Sequence, residues 1–585
     1  MLDDIQSFQG LKWHLTTADD EQVRAITQKF SLPEVVAHIL VSRGQTVEST
    51  DAFLNPTLKN NLPNPLTLKD MEKAANRMAD SVIAHEPIGI MGDYDVDGAT
   101  STALLKMLLE SLGITVHTFI PEREDGYGPS AVKMQEFYDK GCRLVATLDC
   151  GMTAFEPIKA GKDLGLDIIV LDHHDAEKSL PEAIAVVNPK RLDEDINHPC
   201  RNMAAVGVVF LFAVALNTVL RHRGYYSHRP EPNLIRYLDL VAFGTVCDVM
   251  KLTGVNRLFV KAGLNQLRKG ENKGLSALMA HVGVEEPPTT YHLGYVLGPR
   301  VNACGRVGHS DLGMQLLSCS DSVKAAALAQ QLDDLNLTRR DIESAVFLDA
   351  MEQVESRPNS TDPFLLVKGT DWHQGVVGIV AGRLKDRYNL PVFALSIEGE
   401  EVKGSSRSVQ GVDLGTLIMN ALDCGILTRG GGHPMAAGFS LKKDRIDDFY
   451  AYLKENILPE MIGDGGDSLD IDGILDIGGI TPELLDKLEL LAPFGESNPE
   501  PRFMIKNVRV SYVKLLKNGH ISCSLTGRGG GYVGAIAFRS ADTELGNQLI
   551  KATDTLFHVV GVLRRDNWRG QNRVQIQIQD MSKAL

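Results

Sequence analysis

Asp93, Asp95 and Asp97 alternate in the stretch Gly92-Asp93-Tyr94-Asp95-Val96-Asp97-Gly98. Carboxylates this close repel one another, and a bound cation relieves the repulsion. A solvated acidic turn is the other reading of such a stretch. The order Asp-x-Asp-x-Asp-Gly also opens an EF-hand calcium loop, which needs a helix before it and a bidentate Glu at its twelfth position. Here that position is Leu104, and a strand pattern precedes the acids, so the EF-hand is excluded.

The surrounding pattern indicates what positions these acids. Residues 87–91 read as a short buried strand, and Ala103, Leu104, Met107, Leu108 and Leu112 recur at helical spacing. A helix is therefore expected just after Gly98, with the acids in a strand-to-helix turn. That is the edge at which open α/β sheets hold ligands. Strands at 114–120, 143–148, 168–171 and 185–187 then alternate with helices at 130–140 and 156–164. Such alternation predicts a parallel sheet with helices on both faces.

Two of these strands run into further candidate ligands, Asp149-Cys150-Gly151 and Asp172-His173-His174. A lone strand-end Asp is usually a helix cap, and adjacent histidines usually lie on the surface. Three such ends on one edge of one sheet point instead to a shared site. Asp248 ends the apolar stretch 238–247, where an acid without a partner would be costly to bury. The set is rich in oxygen, holds one or two imidazoles and lacks a thiolate, which suits Mn²⁺ or Mg²⁺ better than zinc. Two such ions about 3.5–4 Å apart are the usual device for in-line phosphoester hydrolysis.

At 585 residues the chain has room for three or four domains of about 100–200 residues. Its 43% hydrophobic and 23% charged content is that of a soluble globular protein. The apolar run 203–216 is too short to span a bilayer and reads as a buried helix, so no membrane is expected. No signal-peptide pattern opens the sequence. The eight cysteines include no CxxC pair, which suggests reduced thiols in a cytoplasm. A net charge of −15 weighs mildly against a nucleic-acid partner, although a metal site offsets its own acids and binding needs only a local basic track.

Residues 1–50 read as helical and polar, with no chemistry assigned. Pro56, Pro63 and Pro65 break that pattern, and a short helix follows at about 70–85. Residues 323–350 read as one long helix. Beyond it lie two glycine-rich turns, one beside Ser406 and Arg407 and one at Gly431-Gly432-His433, of the kind whose backbone N–H groups suit a phosphate. After a linker at 463–467, five short strands at 507–513, 521–525, 533–538, 557–563 and 574–578 fit an OB-fold, a common oligonucleotide binder. Arg564-Arg565-Asp566-Asn567-Trp568-Arg569 joins cations to an aromatic able to stack on a base.

Taken together, Gly92–Gly98, Asp149-Cys150-Gly151, Asp172-His173-His174 and Gly244-Thr245-Val246-Cys247-Asp248 resemble the four ordered motifs of the DHH phosphoesterases. Within that family the chain looks most like the RecJ single-stranded-DNA exonucleases. The likeness continues through Gly298-Pro299-Arg300-Val301-Asn302-Ala303-Cys304-Gly305-Arg306, Leu335-Asn336 with Arg339-Arg340, and Trp372-His373-Gln374-Gly375. It closes with Gly404-Ser405-Ser406-Arg407-Ser408 and Gly431-Gly432-His433-Pro434. Two positions depart from the pattern. Cys150 stands where the family commonly has Asn, and Met250-Lys251-Leu252 replaces an apolar-Pro-Leu step.

The resemblance implies an α/β DHH catalytic domain at 51–325, after the N-terminal region 1–50. It also implies a connecting helix at 326–354, a DHHA1 substrate-binding domain at 355–462 and a C-terminal OB-fold barrel at 463–585. The implied activity is 5′→3′ exonuclease action on single-stranded DNA with two Mn²⁺ or Mg²⁺ ions, in DNA repair and recombination. Catalysis would rest on Asp93, Asp95, Asp97, Asp149, His173, His174 and Asp248. Among them Asp149 would bridge the ions, Asp95 would serve one, and Asp97, His173 and Asp248 the other. Arg123, Arg300, Asn302, Arg306, His373, Ser406, Arg407, His433 and Trp568 would hold substrate. The chain would act as a cytoplasmic monomer, with a single-stranded-DNA-binding protein and a helicase as further partners. Two rivals are a DHH phosphodiesterase for short oligonucleotides and a catalytically silent replication scaffold. The OB-like tail speaks against the first, and the full set of motif acids and histidines against the second.

Overall fold

The computed structural model describes residues 7–123, 126, 128–356, 361–462, 468–552, 555–566 and 573–584. The linker expected at 463–467 and the Trp568 segment lie outside the described residues. The chain divides into two compact units, both discontinuous in sequence. One is 63–250 with 262–464, and the other is 1–62 with 251–261 and 465–585.

The first unit carries a five-stranded sheet built on Ile88–Met91, Val116–Phe119, Leu144–Leu148, Asp167–Leu171 and Ala185–Val187. All neighbours are parallel, and the strands stand in the order second, first, third, fourth, fifth. Strands Ile88–Met91 and Leu144–Leu148 are buried along their whole length, which is why they read as apolar runs instead of alternating. In this order the chain reverses direction between the first and third strands. That switch point is where a doubly wound sheet opens a crevice at its carboxyl edge.

The helix after the first strand spans Val96–Ser111, starting three residues before the position expected from the apolar spacing. Asp95 is the reason. Its carboxylate accepts the Gly98 amide at 3.0 Å as an N-cap, so Asp97 lies in the first helical turn and not in the loop. The apolar run near 203–216 lies in the helix Ala205–His222. By length and composition this helix could cross a membrane, but most of it is buried inside the protein.

The long helix runs from Ser322 to Glu355, capped by Asp321. Its distal part, with Val346, Ala350 and Met351, shares a core with Trp372, Val376 and Val380 of the second lobe. That lobe has a mixed five-stranded sheet. Leu365–Thr370 pairs parallel with Val392–Glu398, and Glu401–Arg407, Ala436–Lys442 and Arg429–His433 follow as antiparallel neighbours.

The second unit is organised around a closed barrel. Arg502–Leu515, Ile521–Thr526, Tyr532–Ala537, Arg573–Lys583 and Leu556–Asp566 pair in that order, and the last returns to the first. The N-terminal residues do not form a region of their own. Lys12–Leu15, unexpected as a strand, pairs parallel with Ser468–Ile471. Val23, Ile26, Val36, Ile39 and Leu40 of the next two helices share one core with Leu485, Phe503, Ile505 and Phe557 of the barrel side. Their apolar stripe can leave water only against a sheet distant in sequence. Cutting the chain near Gly465 would therefore remove half of a core.

Arg257 ties the middle segment into this unit. Its guanidinium is buried over the Phe53 ring and donates to the carbonyls of Phe53, Leu491 and Ala492 at 2.8–2.9 Å. Burial, and then the charge of Arg43, brings its pKa down to about 9. Arg257→Met would leave those carbonyls buried without donors, an expected loss of about 3 kcal/mol or more. Urea denaturation should show the lower midpoint, and an unchanged midpoint would mean the cage adds nothing.

Candidate metal centre and anion pocket

The three predicted strand ends meet at the switch point, and Asp248 joins them from the end of the helix Leu238–Cys247. Asp93 follows the first strand and is 5% exposed. A Cβ on Gly98 would sit 2.4 Å from the Asp93 carbonyl oxygen, so only glycine lets the helix start this close to the strand end. Asp97 points at the start of the helix Ala205–His222, whose Ala205 and Val206 amides donate to its two oxygens at 2.6 and 2.9 Å. A helix N-terminus is a natural partner for that carboxylate. Asp149 takes a left-handed backbone at φ 60°, a conformation that non-glycine residues adopt mainly at functional turns.

His173 stands among the acids. Its Nε2 lies 3.3 Å from Asp149 Oδ1, 3.4 Å from Asp248 Oδ2 and 3.8 Å from Asp97 Oδ2. Three overlapping sets of donor atoms each fall within 4.8 Å of one another: Asp93, Asp95 and Asp149; Asp97, His173 and Asp248; and Asp149, His173 and His174. Asp172 is not among them. It accepts the amides of Met152, His173 and His174, and its Oδ1 lies 2.7 Å from His174 Nδ1, which orients that ring. Burial alone would lower the His174 pKa, but the hydrogen bond and charge of Asp172 outweigh it and lift it to about 9.

The acids are held together against their own charge. Burial, and then Asp95, pushes Asp93 up to about 8 and Asp248 up to about 7. Burial also raises Asp97 and Asp149 well above the carboxylate range, with Asp248 the next cause for Asp97 and Asp97 the next for Asp149. Buried Asp93 Oδ1 and Asp248 Oδ2 make no hydrogen bond. Such a cluster ionises fully only around cations, and its oxygen-plus-imidazole set fits Mn²⁺ or Mg²⁺. Cys150 is buried, and burial, then Asp172, pushes its thiol well above the usual range, so the position contributes no thiolate.

A second cluster lies beside the first. Arg123 donates to the Gly305 carbonyl at 2.7 Å and sits 4.2 Å over the ring of Tyr94, between Asp93 and Asp95. Arg306 donates to the Gly375 carbonyl at 2.8 Å. Burial, followed by the charges of Arg123, Arg339 and Arg407, brings the Arg306 pKa down to about 10. Four guanidiniums from three parts of the unit therefore converge. Among the described residues, no carboxylate comes within ion-pair reach of Arg123, Arg306 or Arg407. Arg339 pairs with Glu343 at 2.6 Å.

The other expected substrate contacts are placed as follows. Ser406 is fully buried and donates to the Ala437 carbonyl, so it is not a free phosphate donor. Side chains alternate along Glu401–Arg407, which puts Ser405 and not Ser406 on the face of Arg407. The Arg407 guanidinium donates to Ser405 Oγ at 3.2 Å. Arg300 is spent on Asp333 at 2.7 Å and on the Val296 carbonyl. His373 caps the helix Gln374–Tyr388 by accepting the Gly375 amide at 3.0 Å. Exposed His433 lies 3.8 Å from Asp175, which follows the His173-His174 pair. Asn302 is half-buried on the helix Gly298–Val307. The reading of the sequence missed Ser405 as a donor and Arg339 as part of the cluster. Strand alternation through Gly404-Ser405-Ser406-Arg407 is the signal that separates Ser405 from Ser406.

Comparison with known proteins agrees with this architecture. Family models for the DHH family N-terminal domain, the DHHA1 domain and the RecJ OB domain match residues 87–245, 361–458 and 471–580. The single-stranded-DNA-specific exonuclease RecJ of Dickeya dadantii is 34% identical over 94% of this chain and 96% of its own. Its Escherichia coli counterpart is 35% identical over 88% and 90%. The crystal structure of Thermus thermophilus RecJ with Mn²⁺ covers 99% of this chain and 80% of that one, at 28% identity and a TM-score of 0.81. A structure of that protein with Mg²⁺ also matches, with a TM-score of 0.77. With all three domains matched in order and the identity sustained along nearly the whole chain, this protein belongs to the RecJ family of single-stranded-DNA-specific exonucleases.

Proposed function

We propose that this chain is a cytoplasmic exonuclease that removes nucleotides from the 5′ end of single-stranded DNA, with two Mn²⁺ or Mg²⁺ ions. The observation that carries it is the placement of His173 Nε2 among Asp97, Asp149 and Asp248, beside a second acidic set that shares Asp149. Asp93, Asp95 and Asp149 would hold one ion, and Asp97, His173 and Asp248 the other, with Asp149 reaching both. When bound, the ions activate water and neutralise charge on the phosphate. His174, whose ring is oriented through Nδ1 by Asp172, would contact the scissile phosphate. Arg123, Arg306, Arg407 and Ser405 would receive the terminal phosphate and so set the cut one nucleotide in. The barrel would hold the rest of the strand. A single-stranded-DNA-binding protein and a helicase would supply the strand to a monomer.

End-labelled oligonucleotides test this directly. Single strands should be shortened from the 5′ end with Mn²⁺ or Mg²⁺, duplexes should resist, and EDTA should stop the reaction. Equal digestion of duplex, or digestion that persists in EDTA, would refute the assignment.

A further inference from the structure

The helical segment that carries Arg306 runs past the whole metal centre. It begins as a π-helical stretch, His292–Leu297, and continues as Gly298–Val307. Short π-helical stretches are rare and frequent at functional sites. Two glycines bring this segment against the ligand-bearing chain. A Cβ on Gly298 would stand 2.6 Å from the Cys247 sulfur, next to Asp248. One on Gly305 would stand 2.6 Å from the Tyr94 carbonyl oxygen, between Asp93 and Asp95. The segment is thus a ruler laid along the site.

Along this segment Tyr291 and Tyr295 stand at the π-helical start, and Asn302 and Arg306 lie one turn apart on the α-helical part. Arg306 ends the segment in the arginine cluster. The tyrosines stand at its other end. The rings of Tyr291 and Tyr295 stack with centroids 5.5 Å apart and planes 27° apart, yet remain 57% and 75% exposed. At 1.5 Å per residue, Tyr295 lies about 16 Å along the axis from Arg306. The metal ligands lie beside the interval between them.

We propose that Tyr291 and Tyr295 form a stacking platform for bases of the single strand, a few nucleotides beyond the one being removed. The proposal rests on the exonuclease reading above and deepens it. With the terminal phosphate at Arg306 and the scissile bond at the acids, the continuing strand runs along the ruler toward the tyrosines. Ring faces stack on any base, so the platform holds the strand without reading its sequence. A pre-stacked pair offers that face at little further cost in side-chain order. Continuity with the catalytic centre favours nucleic acid over a protein partner for this patch.

The test uses the full chain with Tyr291→Ala/Tyr295→Ala, Tyr295→Phe and Tyr295→Leu. The substrates are a 5′-phosphorylated dinucleotide and a longer oligonucleotide with the same 5′ end. The advantage of the longer substrate in kcat/KM should fall roughly ten-fold in the double variant and be kept by Tyr295→Phe but not by Tyr295→Leu. A fluorescent adenine analogue placed a few nucleotides from the 5′ end, bound in EDTA, should be quenched by wild type and Tyr295→Phe and not by the double variant. Wild-type behaviour of the double variant, or rescue by leucine equal to rescue by phenylalanine, would overturn the platform and leave the exonuclease reading standing. A wild-type protein inert on both substrates would overturn both.

Discussion

Asp149→Asn is expected to reduce hydrolysis of single-stranded DNA by roughly a thousand-fold or more with either Mn²⁺ or Mg²⁺, a barrier increase of about 4 kcal/mol. The size follows from the position of the residue. Asp149 shares one donor set with Asp93 and Asp95 and another with His173 and His174, so both sets lose a carboxylate together. Asparagine is the better first replacement. The residue sits at φ 60°, which Asn tolerates and Ala resists, so Asp149→Ala adds a backbone cost to the chemical one. The fold should survive. Burial and the neighbouring carboxylates already oppose the Asp149 charge, and removing it relieves repulsion in the metal-free protein. The melting temperature in EDTA should therefore equal or exceed that of wild type. Substantial hydrolysis by the well-folded variant would count against a shared ligand.

The second large effect concerns the strand end. Arg407→Ala should remove most of the preference for a 5′-phosphate over a 5′-hydroxyl, by roughly ten- to a hundred-fold, the range of one charged hydrogen bond. A phosphate dianion calls for forked, permanently charged donors. Arg407 is held ready by Ser405 and by the Ser406 carbonyl, and its charge acts on Arg306. Gly378 leaves space beneath them, since a Cβ there would lie 2.9 Å from Ser405 Oγ and 3.1 Å from Arg407 Nη2. Ser405→Ala should weaken the same preference less, and Ser406→Ala hardly at all. Matched oligonucleotides with the two end groups give the comparison. Equal loss on both would mean that Arg407 is structural, and no loss on either would remove it from the pocket.

The meeting of the acids and histidines could be read from the chain because its information is local. Each ligand motif follows directly on a short apolar strand, and strands that are all parallel bring their carboxyl ends to one edge. Asp93, Asp149 and His173 therefore meet once the sheet is recognised as parallel. The barrel was legible for a similar reason, through short alternating strands separated by turn residues. Asp97 was assigned to the site but not to its helix, because N-capping by Asp95 is a choice made within one turn and apolar spacing does not report it.

What only the tertiary structure decided lies where residues far apart in the sequence meet. Nothing in the spacing of Arg123, Arg306, Arg339 and Arg407 says that their charges converge. That depends on how the long helix and the second lobe's sheet pack beside the ligand strands. Arg300 shows the converse, since Asp333 on the long helix claims it. Ser405 and Ser406 are the same residue type one position apart. Strand register alone puts one hydroxyl beside Arg407 and the other under Ala437. The N-terminal helices needed a partner for their apolar stripe, and a polar-looking sequence cannot say that the partner is a barrel more than 400 residues away. Sequence determines which groups are available and which way each short element presents them; packing free energy, summed over distant contacts, determines which of them share a site.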